Sequence, residues 1–147
     1  MAEKGFKGED KYTNCFVCGM TNPYGLHIPK SYDEDGVCHM VFTPHENMSG
    51  MNGLMHGGFS LMLLDEVMLN ACDGAGLDCV TLNSNTDFLS PAILGHEMEA
   101  TGWIEEIERK KVFVRAELKD CVTGKLIVRG KGLFYQVDMD EFLNVEK

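Results

Sequence analysis

Asp65 and Glu66 lie where acids are costly. They interrupt Gly53 to Asp73, GLMHGGFSLMLLDEVMLNACD, whose other positions include Phe59, Leu61, Met62, Leu63, Leu64, Val67, Met68, Leu69, Ala71 and Cys72. A carboxylate taken out of water without partners carries a large desolvation cost. Such an acid either reaches a salt bridge or the surface, or is held in a pocket as a base or nucleophile. His56, Gly57 and Gly58 stand just upstream. The first amide hydrogens of a helix lack intrahelical acceptors and carry the positive end of its dipole. Glycine leaves them uncovered, so a ligand oxygen can approach as in an oxyanion hole. A tight turn or close packing would also require these glycines.

A second pattern is Cys15 and Cys18, separated by two residues as in half a zinc site. A structural zinc requires two further ligands, and the sequence holds no second such pair; His27 and Cys38 are the nearest candidates. The expectation is therefore no metal. Cys38, Cys72 and Cys79 stand in apolar or strand-like contexts and read as reduced core thiols.

The elements that must position these groups follow from patterning. At about 100° per residue, the apolar positions of residues 53–73 cover nearly the whole helix circumference, so this helix is expected to be central and wrapped on most sides. Strands are expected at Leu26 to Lys30 and Val37 to Thr43, joined by the turn Asp33 to Gly36. After a break at Asp73 to Gly76, residues Cys79 to Leu89 alternate, with Val80, Leu82, Ser84, Thr86 and Phe88 on one face and Thr81, Asn83, Asn85 and Asp87 on the other. Further strands are expected at Glu97 to Glu106, Val112 to Leu118 and Leu126 to Val137, with Arg109, Lys110 and Lys111 as a turn. Such an order makes an α+β fold in which one curved antiparallel sheet wraps a long helix. Residues 1–12 read as a loose arm, 13–138 as one domain and 139–147 as a peripheral acidic tail.

With 147 residues the chain has room for one domain, and its net charge of −10 argues against nucleic acid. It shows no secretory leader and no membrane-spanning apolar run, which makes the cytoplasm the expected location.

The segment MHGGFSLMLLDEV, with an aspartate nine residues after the histidine, resembles the hotdog-fold acyl-CoA thioesterases, in the branch of the phenylacetyl-CoA and medium-chain enzymes. NCFVCGMTNPYGL, VTLNSNTDFLSPAILG and VTGKLIVRGKGLF agree in order and spacing, so the resemblance spans roughly residues 14 to 137. It implies hydrolysis of an acyl-CoA without a separate cofactor, coenzyme A being part of the substrate. By resemblance, Gly57 is the amide donor, His56 orients the thioester, Asp65 is base or nucleophile, and Thr81 holds the water or the carboxylate. Ser90, Pro91 and the turn Arg109, Lys110 and Lys111 would meet coenzyme A, and Gly58 belongs to the same substrate-binding set. Relatives commonly carry an asparagine six residues before the histidine; Gly50 stands there, with Asn52 as its possible substitute. The methionines near the helix start suit an apolar acyl group, medium-length or aromatic, although core filling is their commoner use. A non-catalytic acyl-CoA sensor on the same fold is the alternative.

Gly57 and Asp65 are eight residues apart, about 12 Å along a helix at about 1.5 Å per residue. A single thioester cannot meet both in one chain. The expected assembly is a homodimer with shared sites. The resemblance implies the same sharing, often with the dimer doubled into a tetramer as a dimer of dimers.

Overall fold

The structure, a computed structural model, describes residues 12–144. The expected arm lies outside them except for Tyr12, as do the last three residues of the tail. The strands are β1 Lys30–Tyr32, β2 Cys38–Phe42, β3 Cys79–Phe88, β4 Met98–Glu108, β5 Lys111–Asp120 and β6 Leu126–Gln136. They form one antiparallel sheet in the order β1-β2-β4-β5-β6-β3, with the long helix α1, Gly57–Gly74, packed against β2 to β6. The fold is the expected hotdog: a helix held by a single curved sheet. A short helix α2, Met139–Leu143, closes the described chain with no buried residue.

Local chemistry sets the ends of α1. His56 is its N-cap, accepting from the Gly58 amide through Nδ1 at 2.8 Å. At the other end Gly76 takes a positive φ of 81°, its amide bonds Asp73 O at 2.9 Å, and Leu77 N bonds Cys72 O at 3.0 Å. This paired closure satisfies carbonyls that the ending helix would otherwise orphan.

Leu63, Leu64, Val67, Met68, Ala71 and Cys72 face the sheet and are buried among Met40, Met98, Val114, Leu118, Ile127 and Phe134. Gly102 permits the close approach: a Cβ there would lie 2.5 Å from Val67 O. Burial is not complete around the helix. Leu61 is 45% exposed and Asp65 half-buried, so the stripe Gly57, Leu61, Asp65 is left open by the chain's own sheet.

Three strand expectations need correction. Leu26 to Lys30 is not a strand: Leu26 N and Ile28 N bond Phe16 O and Val17 O, and His27 between them has a φ of 53°, so the segment follows the Cys15–Cys18 loop. Pairing with β2 begins only at Lys30. The turn after β4 is tighter than Arg109 to Lys111, because Lys111 already pairs with Glu108 in β5 and Arg109 takes a φ of 59°. The strict alternation of β3 also fails. Its register against β6 shifts between Thr81 and Asn83, which makes Leu82 an extra residue in a bulge. A bulge reverses the facing of everything beyond it, so Thr81 shares the helix side with Thr86 and Phe88.

Candidate active site

Thr81 meets Asp65. Its hydroxyl donates to Asp65 Oδ1 at 2.8 Å, a contact that joins α1 to the edge strand across the bulge. Among the described residues Oδ2 has no hydrogen-bond partner. Both residues border the uncovered stripe of α1.

Gly57 lies at the opposite end of the same stripe. Its amide has no hydrogen-bond partner among the described residues, as expected of the first helical residue. It lines a hollow of about 360 Å³ with Met51, Leu54, Met55, Phe88 and Leu89, and Ser90 and Pro91 border the same space. His56 is exposed, and because Nδ1 accepts from Gly58 N, its proton sits on Nε2, which can donate to a ligand. The same bond occupies the Gly58 amide. Gly58 therefore fixes His56 and has no amide hydrogen to offer a substrate.

Gly50 has no space for the asparagine that relatives carry: a Cβ there would stand 2.9 Å from His56 Cα. Asn52 sits exposed in the turn Met51 to Leu54, closed by Leu54 N to Met51 O at 2.9 Å, and is not among the residues bordering the hollow. Arg109, Lys110 and Lys111 border another hollow with Glu108 and Tyr135, of about 620 Å³. This basic turn is bonded to Gln136, whereas Ser90 N bonds Ile127 O. Those two anchors are nine residues apart on β6, about 30 Å at about 3.3 Å per residue. The groups proposed from sequence thus fall into two sets, His56, Gly57, Ser90 and Pro91 at one end of β3 and Asp65, Thr81 and Arg109 to Lys111 at the other.

Glu66 faces elsewhere. Both of its oxygens lie 3.6 Å from Cys15 Sγ, and the buried amide of Asn70 donates to Oε2 at 3.2 Å. Burial, followed by the hydrogen bond to Glu66, pushes the Cys18 thiol well above its ordinary range. Cys38 is pushed up to about 12 by burial, opposed by Lys30 and assisted by Glu66. Sequence reasoning had no means to pair Glu66 with Cys15, since 51 residues separate them.

Comparison with known proteins gives the family of the chain. The thioesterase superfamily pattern matches residues 52–126. Acyl-coenzyme A thioesterase 13 of Mus musculus is 32% identical over 98 residues, which are 65% of this chain and 68% of the relative. A crystal structure of a thioesterase superfamily protein aligns with a TM-score of 0.82 and 25% identity, over 91% of this chain and 70% of that one. The E. coli PaaI protein from the phenylacetic acid degradation operon aligns with a TM-score of 0.72 and 22% identity, over 78% of this chain and 82% of its own. The chain belongs to the thioesterase superfamily. It is a thioester hydrolase of the hotdog fold, with the acyl-CoA thioesterases as its relatives.

Proposed function

We propose that the protein hydrolyses coenzyme A thioesters of an apolar acyl group, medium-chain or aromatic, in sites shared between two copies of the chain. The observation that carries this reading is the division of the candidate groups between the two ends of β3. Among the described residues β3 is an edge strand of ten residues that pairs with β6 alone. Leu82 is 53% and Phe88 57% exposed on it. A long edge with apolar side chains is a surface that calls for a partner. Antiparallel pairing of β3 with its own copy, about a two-fold axis near Ser84, carries the Gly57 end of one copy to the Asp65 end of the other. The open stripe containing Leu61 is covered in the same assembly.

In that site the thioester oxygen accepts from the Gly57 amide, which stabilises the charge that develops on it, and Nε2 of His56 donates to the thioester end. Asp65 attacks the carbonyl carbon or takes a proton from the attacking water, with Thr81 fixing its orientation. Addition to the carbonyl is followed by departure of the coenzyme A thiolate, which takes up a proton; where water was the attacker the acid is then free, and where Asp65 was, a water hydrolyses the acyl-Asp65 anhydride. The hollow at Met51, Leu54, Met55 and Phe88 is apolar enough for a medium or aromatic acyl chain. PaaI, which shares the fold, comes from an operon for phenylacetic acid degradation, in keeping with an aromatic acyl group. Arg109, Lys110 and Lys111, beside the Asp65 end, supply positive charge for the phosphates of coenzyme A on an otherwise acidic chain.

A panel of acyl-CoAs assayed for free thiol tests the substrate, with the apolar medium-chain and aromatic members expected to react fastest. Tight acyl-CoA binding without thiol release would identify a sensor. Mixing Gly57→Pro with Asp65→Ala tests the sharing. Proline removes the amide hydrogen at a position where a helix tolerates it. With random subunit exchange, half the dimers are hybrids with one intact site each, so about a quarter of wild-type activity is expected to return. No recovery in demonstrated hybrids would place both groups of a site in one chain.

A further inference from the structure

The Cys15, Cys18 and Glu66 cluster is not used by the thioester chemistry. Glu66 lies about 100° round α1 from Asp65, on the side covered by the loop that precedes β1. One ligand atom from each of the three residues lies within 4.8 Å of the others, and all three residues are half-buried. We propose that Cys15, Cys18 and Glu66 bind one zinc ion that clamps the N-terminal loop onto α1.

The distances from Cys15 to Glu66 fit the ion. With zinc to sulfur at about 2.3 Å and zinc to carboxylate oxygen at about 2.0–2.2 Å, tetrahedral ligands stand about 3.5–3.7 Å apart. Cys15 Sγ is 3.6 Å from each Glu66 oxygen. A single thiol hydrogen points at one oxygen at a time, whereas a cation between the groups satisfies sulfur and carboxylate together. The loop is shaped to present both sulfurs. Gly19 N bonds Cys15 O at 2.9 Å, and a Cβ on Gly19 would come within 2.3 Å of Cys15 N, so only glycine closes this turn after the second cysteine.

Support for the carboxylate is also in place. Asn70, 1% exposed, donates to Glu66 Oε2 at 3.2 Å and accepts from Lys30 Nζ at 3.2 Å. An amide that orients the ligand, held in turn by an ammonium, is the arrangement that metal ligands commonly require around them. Two thiolates and one carboxylate give the bound dication a net charge of about −1, which Lys30 partly offsets. Two soft sulfurs with one oxygen favour zinc over magnesium or calcium, and water takes the fourth position. Each thiol gives its proton to solvent on binding, so about two protons are released per ion.

The test uses the purified full chain, stripped with a chelator, kept reduced and titrated with zinc chloride alone. One zinc per chain is expected, together with a higher midpoint of thermal unfolding. Cys15→Ser and Cys18→Ser each keep a hydroxyl that can bond Glu66, yet both are expected to lose the stoichiometric ion and the thermal shift. Glu66→Gln is expected to weaken zinc at least tenfold, and Cys121→Ser, at an exposed cysteine outside the cluster, to bind as wild type does. Cobalt in place of zinc is expected to show thiolate-to-metal charge transfer and a tetrahedral d–d spectrum, which reads the ligands in wild-type protein even where a variant fails to fold. Folded, reduced protein that takes up no zinc, binding equal in all three site variants, or bound cobalt without thiolate absorption would each overturn the site. None of these readouts involves thioester hydrolysis, so their failure is separate from failure of the proposed function.

Discussion

Asp65 and Glu66 are neighbours on one helix with the same charge, and the fold gives them opposite surroundings. Asp65 has a hydroxyl on Oδ1 and an open stripe beside it, at the edge strand β3. Glu66 is enclosed by two thiols and a buried amide, under a loop that crosses the other side of α1. The sequence cost of an acid in an apolar helix is the same for both. What differs is access: among the described residues Asp65 takes one side-chain hydrogen bond and keeps an open side, as the proposed chemistry requires, whereas the ring of groups about Glu66 encloses it. A buried acid therefore signals a job without saying whether that job is chemistry or construction.

The largest expected effect tests this contrast directly. Asp65→Asn is expected to keep the fold and acyl-CoA binding while lowering kcat by about two to four orders of magnitude, the usual worth of a positioned base or nucleophile. Glu66→Gln is expected to change kcat far less and to show its effect in the unfolding midpoint. Parallel steady-state kinetics and thermal melts on the two variants check this. Should Glu66→Gln be the more damaging to kcat in folded protein, the two roles are reversed.

Next in size is Thr81→Ala. Loss of a hydrogen bond to a charged group is worth about 1.5–3 kcal/mol, about tenfold to a hundredfold in rate when the bond serves the transition state. The expectation is a fall in kcat larger than the rise in KM. An unchanged kcat would make Thr81 an ordinary β-branched strand residue.

The smallest effect lies away from both acids and serves as their control. His39 on β2 bonds Asp33 Oδ2 at 3.0 Å and Glu99 Oε2 at 2.8 Å, and these two carboxylates, Asp33 first, hold its imidazole above the usual range despite partial burial. A raised folded value means that this stabilisation is fully present below the unfolded pKa, about 6.5, and is lost as pH rises through the folded value. Wild-type stability is thus expected to carry a small decline with pH above about 6.5 that His39→Gln lacks. Urea melts of the two proteins at paired pH values measure it. An identical pH dependence in both would remove His39 as its source.

Much of this architecture was legible in the residues. Apolar positions round nearly all of 57–74 require cover on several sides, and the five β-rich segments that begin at Val37, Cys79, Glu97, Val112 and Leu126 provide it as a curved sheet, whereas Leu26 to Lys30 reads as a strand and is not one. The helix start with its glycines, and the His56 to Asp65 spacing, are local facts fixed by chain chemistry. The facing of Thr81 was not legible, because alternation assumes a regular ladder and one extra residue at Leu82 reverses it. Nor was the embrace of Glu66 by Cys15 and Cys18. Patterning reports which side chains must leave water, since burial follows from composition along a single element. Which distant groups they then meet depends on how separate elements cross, and that was decided when the loop before β1 was laid over one side of α1 and the edge strand over the other.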